Sequence, residues 1–286
     1  MSLIEALRAN FTLLVGLAGV LGLLVGSFLN VVALRLPRMM EAEWKREARL
    51  ILELPEEDPP PLRITLSQPP SCCTSCGARI RPWHNLPLLG WLWLRGRCAD
   101  CRAPISPQYP LVELASGVLS AACAWHFGWG PQLAAGLVLS WTLLVLTVID
   151  FRDQLLPDAI TLPLLWVGLC LACFGVFTTP PMAIAGAVFG YLSLWLIYHG
   201  YRLLTGKEGM GHGDFKLLAA LGAWFGATSL PMIILLSSLV GSVIGISLIL
   251  FRGRDRNIPI SFGPYLAGAG WLTLIWGDAL RGLSHP

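Results

Sequence analysis

Apolar runs long enough to cross a lipid bilayer recur along most of this chain, and nothing else in it constrains the fold as strongly. A helix needs about 20 apolar residues to cross roughly 30 Å of hydrocarbon. Runs of roughly that length lie at 11–34, 110–128, 131–150, 159–177, 182–204, 230–251 and 260–280, and a shorter one lies at 215–227. Backbone groups in hydrocarbon must be satisfied without water, which a helix does within a single segment. The expected fold is therefore all-α: a polytopic transmembrane helix bundle of about eight spans, or seven without the short run. Charged residues make up only 13% of the chain, against roughly 25% in soluble domains, so a soluble globular protein is excluded. The first run is too long for a cleavable signal peptide and is followed by no small-x-small pattern. It is expected to remain as the first span.

That span carries Gly16, Gly19, Gly22, Gly26 and Ser27, a small-residue stripe suited to close helix packing. Asn30, polar in an apolar setting, is either an interhelical hydrogen-bonding group or a site residue. The chain divides into the first span (1–36), a polar region (37–109) and a membrane core (110–286). Glu113, one turn into the core, reads either as an interior hydrogen-bond partner or as part of a site.

The polar region contains Cys73-Thr74-Ser75-Cys76 and Cys98-Ala99-Asp100-Cys101. Two C-x-x-C pairs at such a separation fit a tetrahedral zinc site with Cys73, Cys76, Cys98 and Cys101 as ligands. Four thiolates fill the coordination sphere, so the zinc is structural, in a small zinc-ribbon-like insertion. Cys72 stands beside the first pair as a possible substitute ligand. Cys123, Cys170 and Cys173 lie in apolar runs and read as core residues. The basic residues of this region follow from membrane topology, so nucleic acid is not an expected partner.

Charge sets the orientation. With the N-terminus outside, every Lys and Arg except Arg8 and Arg281 falls on the cytoplasmic side, a strong positive-inside signal. Asp150, at the end of one apolar run, and Asp214, at the start of another, then share the cytoplasmic face with the cysteine pairs. Asp214 closes Gly209-Met210-Gly211-His212-Gly213, where glycines allow unusual backbone conformations and close approach. Ionisable groups at membrane depth are functional candidates. Two carboxylates at one site share a proton, because like charges a few Å apart do not both ionise. Such a pair can activate water and polarise a carbonyl, which is enough to hydrolyse a peptide bond. Asp153, Asp158 and Glu208 are either attractors for a basic peptide or ordinary loop charges, and His212 is a loop filler rather than the base.

These residues resemble the type IV prepilin peptidases, membrane aspartic peptidases with a G-x-G-D motif. Gly211-His212-Gly213-Asp214 supplies that motif, and Ile149-Asp150 with Leu156-Pro157-Asp158 supplies its partner. Gly26-Ser27-Phe28-Leu29-Asn30-Val31, Arg35-Leu36-Pro37, the cysteine pairs and Tyr109-Pro110-Leu111-Val112-Glu113 extend the likeness over most of the chain. The resemblance implies that Asp150 and Asp214 are the catalytic pair. It also implies cleavage of type IV prepilins and type II secretion pseudopilins at the cytoplasmic face of the bacterial inner membrane. N-methylation of the new N-terminus by S-adenosylmethionine would follow. No strand, glycine-rich turn and helix in succession marks a dinucleotide-type fold, so the methyl-donor site has no motif of its own. The rivals are a peptidase without methylation and, in another class, a proton-coupled transporter using the aspartates as a relay. Transporters commonly show inverted repeats with broken helices near mid-membrane, whereas these aspartates sit at span edges.

Overall fold

Apolar runs bounded by Pro, Gly and polar residues become helices in the computed structural model, which describes residues 3–55, 64–206, 210–252 and 261–283. Among the described residues there are ten α-helices and no strand: α1 (Leu3–Ala9), α2 (Phe11–Ile51), α3 (Leu89–Trp93), α4 (Gln108–Phe127), α5 (Pro131–Asp153), α6 (Asp158–Cys173), α7 (Pro180–Thr205), α8 (His212–Phe225), α9 (Leu230–Arg252) and α10 (Gly263–Leu283). Pro131 and Pro180 open α5 and α7, where the missing N–H has no helical partner to lose. Among the described residues, four helical segments are long and apolar enough to cross a membrane: Phe11–Ile51, Pro131–Asp153, Pro180–Thr205 and Ala227–Ser247. The chain falls into two units, Met1–Trp125 and His126–Pro286.

In the first unit, α2 differs from the sequence expectation. It does not stop where the apolar run ends but continues as one helix of 41 residues, with Pro37 inside it. The polar extension is stabilised by local charge pairs, Glu41 with Lys45 and Glu43 with Arg46, at helical i, i+4 and i, i+3 spacings. The small-residue stripe packs against α4. A Cβ on Gly26 would lie 2.7 Å from Glu113 Cα, and Ser116 Oγ donates to the Gly22 carbonyl at 2.6 Å. Gly16 has no neighbour within 4 Å and takes no part.

In the second unit, α8 is the core. Every residue from Asp214 to Phe225 except Lys216 is buried, because α6, α7 and α10 surround it. Fourteen residues give about 21 Å of helix, shorter than a lipid-facing span of roughly 30 Å, and protein rather than lipid covers it. This is why the run at 215–227 is short. The α7–α8 contact is backbone on backbone: a Cβ on Gly186 would lie 2.1 Å from the Gly222 carbonyl oxygen, and the reverse distance is also 2.1 Å. The Trp224 indole N–H donates to the Leu164 carbonyl at 2.8 Å, tying α8 to α6. Cys123 is buried as expected, but Cys170 and Cys173 are exposed. They face outward from α6 because α8 takes its inner side.

Candidate active site and metal centre

Asp214 is the third residue of α8, after the N-cap Gly211. From that position its carboxylate reaches back to the Gly211 backbone N–H, the return half of a capping box. Gly211 itself has φ −78 and ψ 145, ordinary extended backbone. The glycines of the motif therefore serve close approach more than unusual conformation, since a Cβ on Gly213 would lie 2.7 Å from Leu156 Cβ. The described part of the motif starts at Met210, and Glu208 lies outside the described residues.

Asp150 occupies the last turn of α5, which runs on to Asp153 and closes with Gln154 in the left-handed region at φ 52. Its surroundings come from the other end of the unit. The Gly263 N–H, at the start of α10, points to its carboxylate. The Ser261 hydroxyl donates to its backbone carbonyl at 2.8 Å. A Cβ on Gly263 would lie 2.6 Å from Asp150 Oδ2 and 3.2 Å from Leu156 Cδ1. Leu156 thus touches both Gly213 and Gly263, wedged between the N-termini of α8 and α10. The two aspartates come within electrostatic range of each other.

Both carboxylates are buried, 5% exposed at Asp150 and 6% at Asp214. Asp150 Oδ2 and Asp214 Oδ1 accept no hydrogen bond from any described residue. Buried polar atoms left unpaired are rare and call for a functional explanation. Chemically, the arrangement offers two buried carboxylate oxygens with acceptor capacity that no described residue uses.

The remaining candidates separate. Asp158 is held by Lys216, whose Nζ lies 2.7 and 2.6 Å from its two oxygens. That half-exposed pair braces α6 against α8 rather than waiting for a basic peptide. Asp153 stays exposed. The His212 ring packs on Tyr198 and Phe215, with centroids at 5.2 and 5.4 Å, consistent with a packing role. Ser261 and Gly263 were missed by sequence reasoning, which named Leu156 only as part of the partner motif and not for this contact. Ser261-Phe262-Gly263-Pro264 does carry a helix-start signal, but nothing in it names Asp150 as its neighbour.

In the first unit, the two cysteine pairs fold as matching knuckles. Cys73 N–H donates to the Ala78 carbonyl and Cys98 N–H to the Ala103 carbonyl. Each knuckle is closed by a single bridge, Cys72 with Arg79 and Arg97 with Pro104. Gly77 and Arg102, each four residues after the first cysteine of its pair, both have positive φ. The sulfurs of Cys73, Cys76, Cys98 and Cys101 lie within 4.8 Å of one another, a group that can hold a metal ion. Cys72 is in the closing bridge and not in the cluster. Backbone N–H groups of Cys76 and Ser75 pull the Cys73 thiol down to about 6, while the neighbouring sulfurs of Cys101, Cys73 and Cys98 push Cys76 up to about 12, so the cluster shares its protons until a cation displaces them. Asn30 makes the expected interhelical bond, its Nδ2 donating to the Tyr109 carbonyl at 3.1 Å. Glu113 accepts the Leu88 N–H at 2.8 Å.

Residues 20–127 match the bacterial peptidase A24 N-terminal domain, and residues 137–246 match the type IV leader peptidase family. The chain is 53% identical to a prepilin leader peptidase/N-methyltransferase of Stutzerimonas stutzeri, over 98% of this chain and 96% of the relative. It is 55% identical to a protein of the same name from Pseudomonas aeruginosa, over 91% and 89%. It is 48% identical to one from Neisseria gonorrhoeae, over 95% and 96%. No solved structure matches.

Proposed function

Because this chain belongs to the type IV leader peptidase family, we propose that it cleaves the leader from type IV prepilins and type II secretion pseudopilins and then N-methylates the new N-terminal residue. It is a multi-pass inner-membrane protein, and in this reading it has eight spans, with α8 sheltered inside the bundle. The cleavage site then faces the cytoplasm, where the charge asymmetry of the loops puts Asp150, Asp214 and residues 37–109. A prepilin offers an apolar helix to lipid and a basic leader to the cytoplasm, so its scissile bond lies at the depth of a carboxylate pair at span edges.

The observation that carries the peptidase reading is the approach of two buried aspartates, each with an oxygen that no described residue satisfies. With one proton between them, the ionised carboxylate takes a proton from water as the water oxygen attacks the scissile carbonyl. The protonated one gives its proton to the carbonyl oxygen. When the tetrahedral intermediate collapses, the C–N bond breaks, the leaving amine takes the proton of one carboxyl, and the other carboxylate takes a hydroxyl proton as that oxygen becomes the new carbonyl, so the pair again holds one proton. The Gly263 and Gly211 amides orient the carboxylates, and the bulk of Leu156 keeps the two helix starts in register. S-adenosylmethionine, when bound, supplies an electrophilic methyl carbon for the exposed amine.

The four clustered thiols fit zinc by number and donor chemistry. Zinc would hold the two knuckles together without entering either reaction. One zinc per chain is expected in the purified protein, with the four cluster thiols unreactive to thiol reagents until a chelator removes it. Metal-free protein with all four thiols freely titrating excludes the assignment.

The function is tested by incubating the protein in membranes with a prepilin and isotopically labelled S-adenosylmethionine. Mass spectrometry should show the leader lost and one labelled methyl group on the mature N-terminus. Cleavage without label leaves a peptidase alone, and an intact prepilin defeats the reading.

A further inference from the structure

We propose that a cavity within the unit Met1–Trp125, walled by α2, α4 and the cysteine knuckles, is where this protein binds its methyl donor, S-adenosylmethionine. The assignment rests on the methyltransferase half of the function above. The cavity has a volume of about 450 Å³, within the range of roughly 300–1,000 Å³ usual for small-molecule sites. Asn30 and Arg38 line it from α2, Tyr109 and Glu113 from α4, and Trp91 from α3.

Asn30 is the first pointer. It is 2% exposed, and its Nδ2 donates to two carbonyls, Gly26 at 3.3 Å and Tyr109 at 3.1 Å. Two acceptors on that side fix the amide orientation, so the other end must be Oδ1. No described residue donates to Oδ1. A buried acceptor left so is costly unless something absent from the free chain supplies the donor.

Glu113 is the second. Its carboxylate, 8% exposed, receives the Leu88 N–H at 2.8 Å and the Ser27 hydroxyl. A carboxylate accepts about four hydrogen bonds, so capacity remains on the cavity side. An acceptor and an anion along one wall select a ligand with N–H donors and positive charge. Arg38 adds a cation for an anionic group, and Trp91 and Tyr109 add flat aromatic surface.

S-adenosylmethionine carries all of the matching parts: an ammonium and a sulfonium cation, a carboxylate, and a planar adenine. The bare N-terminal amine of a processed pilin would satisfy the acidic side but leave the arginine and the aromatic wall unused. Cys73 and Cys98 line the same cavity, so the metal cluster shapes this wall.

The test is calorimetric titration of the full-length protein in lipid nanodiscs with S-adenosylmethionine, without prepilin. Wild type should bind at one site. Glu113→Gln and Asn30→Leu should each weaken binding at least tenfold, with zinc content and unfolding midpoint reporting that the variants fold. Glu113→Gln retains an acceptor for the Leu88 N–H, so it removes the charge and spares the loop. It carries the test if Asn30→Leu does not fold. Wild-type affinity in Glu113→Gln overturns the site. If wild type transfers methyl while the folded variants bind as it does, the site alone is wrong. If wild type neither binds the donor nor labels a cleaved pilin, the methyltransferase reading falls and takes the site with it.

Discussion

Asp150→Asn and Asp214→Asn are each expected to lower leader cleavage by about 10³-fold or more, the scale of lost acid–base catalysis. Asparagine keeps the shape of the side chain and an acceptor for the Gly263 or Gly211 amide. The helix starts should therefore stay in place and the unfolding midpoint should move little. What is lost is the ability to take or give a proton, and one crippled member leaves its partner with nothing to share. The double variant should consequently be no worse than either single one, because residues acting as a unit are not additive. Methyl transfer to a pilin that has already lost its leader should persist in both, since that step draws on a different set of residues. The measurement is the rate of prepilin processing in membranes, with methylation of a pre-cleaved pilin read in parallel. Normal cleavage in both Asn variants would return these aspartates to the rival role of a proton relay.

The parts of this molecule that were legible in the sequence are those whose information is local. The apolar runs predict the helices because each is contiguous: 131–150 and 230–251 fall almost on α5 and α9. The cysteine cluster is legible because its ligands come as two pairs at fixed spacing on matching turns. Charge asymmetry put Asp150 and Asp214 on one face without any contact being known. What joins them was not legible. Leu156, Gly263 and Ser261 act through contacts far apart in the chain, Ser261 reaching Asp150 across 111 residues, and neither a leucine nor a glycine advertises its neighbour. The cavity walled by α2 and α4 was not legible for the same reason: Asn30 and Glu113 stood out singly as possible site residues, but Asn30, Arg38, Trp91 and Glu113 share no motif and meet only when α2, α3 and α4 are folded. Composition also misled in places. Cys170 and Cys173 are apolar enough for a core, yet outward positions on an apolar α6 suit them equally. The polar extension of α2 was not anticipated as continuous with the first span because the chain was divided at residue 36, where the apolar run gives out. Proline usually breaks or kinks a helix, but here the helix carries on to Ile51.

Gly222→Ala should destabilise the protein by about 3 kcal/mol or more, and Gly186→Ala should do the same. Overpacking a core side chain costs roughly 1–3 kcal/mol, because neighbouring side chains can shift. Here the neighbour is backbone. A Cβ at either position would sit 2.1 Å from the carbonyl oxygen of the other glycine, and a helix carbonyl cannot move aside without breaking its own ladder. The only relief is to separate α7 from α8 along their length. That opens the packing around Trp224 and Phe215, both fully buried, and shifts the N-terminus of α8 that carries Asp214. Cleavage should therefore fall together with the unfolding midpoint, unlike in the Asp→Asn variants, where activity falls alone. Gly200→Ala on the same α7 is the control. It has no neighbour within 4 Å, and alanine favours helix over glycine by up to about 1 kcal/mol, so that variant should match or exceed wild type. Thermal unfolding in nanodiscs separates the cases. An unchanged midpoint in Gly222→Ala would mean that α7 and α8 are not in backbone contact, and the buried position of Asp214 would then need another support.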